Sequence, residues 1–149
     1  MKWFTALVFV FGSTVAFADG VKLSGPTQPQ WKSECSGCHI AYPPQLLTAG
    51  NWQQLMGGLD KHFGANATMA PNDSKAIQDF LQRNAGSGDK HSASSLRISD
   101  TTWFKREHRE VSNKTWANPA VKNRSNCTAC HVNAERGDWS EDGVRLPGR

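Results

Sequence analysis

The chain has few of the residues that build an ordinary hydrophobic core. No long apolar run occurs after residue 17, so nothing in the remainder reaches the roughly 20 residues that a membrane helix needs. Ile, Leu and Val are sparse there, while Gly, Ser, Asn and Pro are frequent. Strand-like alternation is almost missing, which excludes the βαβ setting of a thioredoxin-type disulfide. No nucleic-acid-binding motif is present. There is one Tyr and there are three Met in 149 residues. A chain this short and polar buries a thin core and needs a staple: disulfides, a metal or a large cofactor.

At the start, Lys2 precedes an apolar run from Trp3 to Phe17 that ends in Ala16-Phe17-Ala18. A positive n-region, an apolar h-region and a small-x-small site predict a signal peptide over 1–18, cleaved after Ala18. Loss of Lys2 with the leader lowers the formal charge from +4 to +3. Export makes all three kinds of staple possible.

The cysteines say which staple is used. All four fall in two segments of one pattern, Cys35-Ser36-Gly37-Cys38-His39 and Cys127-Thr128-Ala129-Cys130-His131. C-x-x-C-H is the attachment signature of c-type haem. Two thiols three residues apart lie on one side of a turn and reach two vinyl groups of one porphyrin. The adjacent His lies beneath the same macrocycle and can ligate its iron. A zinc ribbon spaces its C-x-x-C pairs by roughly 15–20 residues, whereas 88 residues separate Cys38 from Cys127. Two structural disulfides explain an even count but not the repeated His. The sequence therefore predicts two covalently bound haem c groups. Their four propionates bring the holoprotein close to neutral, so a basic composition does not argue for nucleic acid.

Residues 19–34, with Gly25-Pro26 and Pro29, predict an extended arm. Tyr42-Pro43-Pro44 stop any helix begun at the first motif. A helix is expected over about 51–63, where Trp52, Leu55, Met56, Leu59 and Phe63 recur at helical spacing and Gly64 ends it, with Gly57-Gly58 in its middle. A second is expected over about 74–84, capped by Asn72, Asp73 or Ser74, with Ile77, Phe80 and Leu81 on its apolar face. Residues 85–95 predict a Gly/Ser-rich linker. A third helix is expected over about 101–111, capped by Ser99 or Asp100, with Phe104, His108 and Val111 facing inward. A polar stretch, 112–125, leads to the second motif, and the tail from 133 wraps the surface. The fold class is mostly α: a small helical protein with long irregular loops, its haems forming much of the core. Its N-terminal haem half is 19–84 and its C-terminal haem half is 96–149.

His39 and His131 supply one axial ligand each. Of the three remaining histidines, His62 and His108 continue apolar helix stripes. His91 sits in the linker without an apolar neighbour. His62 lies 23 residues after His39, and His108 lies 23 before His131. His62 and His108 are therefore the expected distal ligands, with either pairing open. Met69, in a loop before Ala70-Pro71, is the alternative for the first haem; Met56 is expected in the core. The aromatic residues suit contact with porphyrin faces. Lys105, Arg106, Arg109, Lys114, Lys122 and Arg124 precede the second motif and form a candidate docking patch for an acidic partner.

These residues resemble the bacterial dihaem cytochrome c (DHC) family. The resemblance is carried by Cys35–Leu47 with its Tyr42-Pro43-Pro44, by Trp52, Leu55-Met56, Leu59 and His62–Ala67, by Arg97-Ile98, Trp103-Phe104 and His108, and by Asn126–His131 with Ala134-Glu135 and Gly137. It covers about residues 30–147. It implies a periplasmic, mostly helical protein with two bis-His, low-potential haems, whose irons match His62 and His108 as distal ligands. It also implies electron transfer between a membrane cytochrome of b type and a small soluble haem partner. Two saturated irons leave no open coordination site for a substrate, so an electron carrier without catalytic residues is expected.

Overall fold

The computed structural model describes residues 28–148. The expected leader over 1–18 and the start of the expected arm lie outside the described residues. Among the described residues, five short α-helices and several single 3-10 turns make up the regular structure. Among the described residues the only β pairing is three isolated bridges, Thr48 with Gly86, His62 with Ala65, and His131 with Val144. The fold is mostly helical, as expected.

Helix α1, Gln28–Cys35, takes the place of the described part of the expected extended arm. Its sequence is polar and gives no apolar stripe to read; Trp31 alone is buried, tilted at 5.4 Å against Phe80. Helix α2, Ala49–Met56, starts where Thr48 accepts a hydrogen bond from the Asn51 amide at 3.2 Å. It stops at Gly57. The expected helix over 51–63 is therefore broken at Gly57-Gly58, and a separate 3-10 turn, Leu59–Lys61, carries the chain to His62. The periodicity survived the break because Leu59 still turns inward. Two adjacent glycines cost the helix more than that spacing returned.

Helix α3 spans Pro71–Arg83. It begins one turn before the expected start. Proline at the first position fixes φ and lacks the N–H that would be left unpaired there, so none of Asn72, Asp73 or Ser74 acts as cap. Lys75 and Asp79 pair across one turn at 2.8 Å on the exposed side. Ile77, Phe80 and Leu81 are buried and meet Leu47, Trp52, Met56 and Leu59 of the preceding segments. Burying a side chain such as Phe80 contributes about 2–3 kcal/mol. This cluster is the described apolar core, and it lies in the N-terminal part of the chain.

Residues 85–95 are fixed against that core. The Gly86 amide donates to the Leu47 carbonyl at 2.8 Å. The Asn51 side chain pairs with both backbone groups of Ala93, at 2.9 and 3.2 Å. His91 is buried, with its ring 5.5 Å from Trp103. This corrects the expectation that His91 has no apolar neighbour: polar composition hid a segment held by backbone bonding.

Helix α4, Thr102–Glu107, is shorter than the expected 101–111. Its cap is Thr101, not Ser99 or Asp100; the hydroxyl accepts from the Phe104 amide at 3.1 Å. His108 ends it. Helix α5, Asn113–Trp116, follows under a Ser112 cap within the stretch read as merely polar. The tail folds back: Arg145 donates its amide to the Cys130 carbonyl at 2.9 Å beside the His131–Val144 bridge.

Candidate haem sites

The two C-x-x-C-H segments sit where helical turns end. Cys35 closes α1, and Cys127–Ala129 forms a 3-10 turn that delivers Cys130 and His131. Among the described residues no disulfide joins the four cysteines. Burial is the main influence on them: it pushes the Cys35 thiol, beside Glu34, up to about 11 and the Cys127 thiol, beside Cys130, up to about 11. Burial raises Cys130 as well. Such thiols stay protonated at neutral pH. Among the described residues no group of three or more His, Cys, Asp or Glu is placed to hold a bare metal ion.

The histidines gather in two pairs. The ring centres of His39 and His62 are 6.1 Å apart, with planes inclined at 30°. Those of His108 and His131 are also 6.1 Å apart, inclined at 73°. Two imidazoles on opposite sides of one metal, each bonded at about 2 Å, place their centres roughly 6 Å apart. Both pairs therefore have the spacing that two histidines would need to hold one iron between them. Each pair joins a motif histidine to the candidate 23 residues away in its own half, which narrows a pairing the sequence left open. His91 has Trp103 as its ring neighbour, not another histidine. Met56 is buried in the core, and Met69 packs against the same cluster.

Local bonding prepares the rings for a metal. His39 Nδ1 lies 2.7 Å from the Ile40 carbonyl, and His108 Nδ1 lies 2.9 Å from the Phe104 carbonyl. A carbonyl only accepts, so each Nδ1 carries a proton, which in the neutral ring leaves Nε2 free to face a metal. Burial, and then the facing imidazole, lowers the proton affinity of His62 and of His131. Neutral imidazole is the ligating form. The His131 Nδ1 is buried without a hydrogen-bond partner among the described residues.

Aromatic rings line both pairs. Tyr42 stacks on His39 at 4.5 Å and 15°, and Phe104 stacks on His108 at 4.0 Å and 19°. Trp116 stands 5.8 Å from His108, and Trp139 stands 5.5 Å from His131. The exposed apolar side chains Phe63 and Val132 each follow one of the paired imidazoles; apolar surface at those points suits a porphyrin. The Tyr42 hydroxyl also donates to the Ser125 carbonyl at 2.6 Å, joining the wall of the first site to the approach of the second motif. Burial pushes that phenol up to about 12, reinforced by nearby Cys127. In the sequence Tyr42 stood out only with Pro43-Pro44; no spacing rule predicts a contact across 83 residues.

Comparison with known proteins gives the following matches. A family model described as dihaem cytochrome c matches residues 31–139. The structure is similar to the X-ray structure of a dihaem c-type cytochrome from Shewanella baltica OS155, with TM-score 0.70 and 35% identity, covering 83% of this chain and 95% of that one. It is also similar to the crystal structure of DHC from Rhodobacter sphaeroides, with TM-score 0.65 and 41% identity, covering 75% and 96%. No curated protein matched the chain.

Proposed function

The chain belongs to the dihaem cytochrome c family, and from that premise we propose that it is a periplasmic electron carrier whose two haem irons are each held by two histidines. The family's cofactors are two covalently bound haem c groups, and each supplies a one-electron ferric–ferrous couple. Cys35 and Cys38 anchor the first, with His39 and His62 as its axial ligands. Cys127 and Cys130 anchor the second, with His131 and His108. The observation that carries this reading is the equal 6.1 Å separation of the two ring pairs.

Two protein ligands per iron leave no coordination position for a substrate, so the protein carries electrons rather than transforming a bound molecule. Imidazole pairs stabilise the ferric state more than a His/Met pair does and hold the potential low. The surrounding rings exclude water from the edges, and the haems complete a core that the chain alone leaves thin. The leader supports export. Among the described residues no helix is long and apolar enough to cross a membrane.

The partners are a membrane cytochrome of b type and a small soluble haem protein. Lys105, Arg106, Arg109, Lys114, Lys122 and Arg124 are exposed, and the Arg124 guanidinium covers the Trp116 ring at 5.0 Å, beside His108. That patch steers an acidic surface toward the second haem. The test is a spectrum of the purified protein with intact mass. Two haem additions per chain and low-spin bands unchanged by CO are expected; a CO-shifted band from the native protein contradicts the carrier reading.

A further inference from the structure

The two histidine pairs share a separation and differ in angle. The planes of His39 and His62 are inclined at 30°, those of His108 and His131 at 73°. Each pair has one ring fixed from outside. Tyr42 lies nearly parallel to His39, and Phe104 lies nearly parallel to His108. Those same two imidazoles donate Nδ1–H to backbone carbonyls. A stacked ring and a directed hydrogen bond together leave little freedom to rotate about the bond to the metal.

The mutual angle has an electronic consequence. The π orbital of an imidazole raises whichever of two otherwise equal iron d orbitals it overlaps. Parallel planes raise the same orbital and separate the two. Perpendicular planes raise one each, and the separation cancels. The combined effect follows the cosine of the angle: it keeps most of its maximum at 30° and falls to roughly a third at 73°.

Resting on the bis-histidine reading above, we propose that the two haems are electronically distinct. Tyr42 is a positioning residue that holds the first pair near parallel. Phe104 is a positioning residue that holds the second near perpendicular. Neither acts on the electron directly; each fixes the plane of the ligand it covers.

Electron paramagnetic resonance of the fully oxidised two-haem protein tests this. The expected spectrum is the sum of one well-resolved rhombic low-spin signal and one broad signal with a much larger maximal g value. Tyr42→Leu removes the stacked ring and should displace the rhombic signal alone. Tyr42→Phe keeps the ring and should restore it. Phe104→Leu should displace the broad signal alone. Two low-spin bis-histidine signals of the same class in the native protein overturn the inference while leaving the ligation intact. A Tyr42→Leu spectrum identical to the native one overturns the role of Tyr42. A high-spin signal, or the near-infrared charge-transfer band of a His/Met haem, overturns the ligation itself. The native spectrum decides the main point even where Phe104→Leu fails to fold.

Discussion

A histidine that ligates iron must be neutral, and the protein already favours that form at His62 and His131. In both, burial disfavours the charged ring more than the facing imidazole does. A folded-state value below the ordinary one near 6.5 gives stability that is present above that value and lost as pH falls through the lowered one. Acid titration of the ferric protein should therefore convert the haems to high spin only below pH 6.5; conversion at or above that pH contradicts the assignment. Substitution is the sharper test. His62→Ala and His108→Ala should each leave both haems covalently attached, turn one of the two high-spin and let that one bind CO. His91→Ala should change neither spin state nor CO binding, because its ring faces Trp103 rather than a second imidazole. Met69→Leu is the control: an iron opened by it, with His62→Ala still low-spin, makes the first haem His/Met. The sequence pointed to His62 and His108 by a helical stripe. The structure puts His62 after a 3-10 turn and His108 at the end of α4. The structure sets both beside the motif histidines although the local geometry differs from the expected helix, because inward direction survived the break.

At the scale of elements, caps and glycines decide where a ligand ends up. Thr101 is fully buried, and its hydroxyl starts α4 by accepting the Phe104 amide while donating to the Ile98 carbonyl at 2.8 Å. One turn later the Phe104 carbonyl orients His108. Thr101→Val keeps the shape and removes both bonds. It should cost about 1–2 kcal/mol, read as a lower thermal midpoint, with Thr101→Ser recovering most of it. Gly86 is the second control point. A Cβ there would stand 2.2 Å from the Gln45 carbonyl oxygen and 2.9 Å from the His91 ring. Backbone cannot yield as a flexible side chain does, so Gly86→Ala should cost about 1–3 kcal/mol or more. An unchanged unfolding midpoint in that variant contradicts the close approach of the two segments. These features were poorly legible. Thr101 stood beside two equally good capping residues, and Gly86 looked like one more loop glycine. Helix α3 was legible because Ile77, Phe80 and Leu81 form an unbroken stripe, whereas α1 was not, because its burial rests on Trp31 alone.

Over the whole molecule, composition and motif revealed the cofactor count and the helical class, since two C-x-x-C-H segments use every cysteine. Contact between the two motif regions was not legible, because it depends on one phenol reaching a carbonyl 83 residues away. The described apolar core lies on the N-terminal side, so the C-terminal haem segment depends more on its own cofactor. Replacing Cys127 and Cys130 by Ala should leave one haem per chain by intact mass and loosen the region around His131. The Tyr42 hydroxyl gives a way to see that dependence. The Ser125 carbonyl also accepts the Cys127 amide at 3.0 Å, so losing the phenol leaves no bare carbonyl, and Tyr42→Phe should cost only about 1 kcal/mol in the two-haem protein. The bond exists only while residues 125–127 hold their place. In the one-haem background the same substitution should cost nearly nothing, and a double-mutant cycle should return a coupling close to the whole single-variant penalty. An equal penalty in both backgrounds would mean that the second motif keeps its position without haem, and that the peptide alone, through Tyr42, joins the two halves.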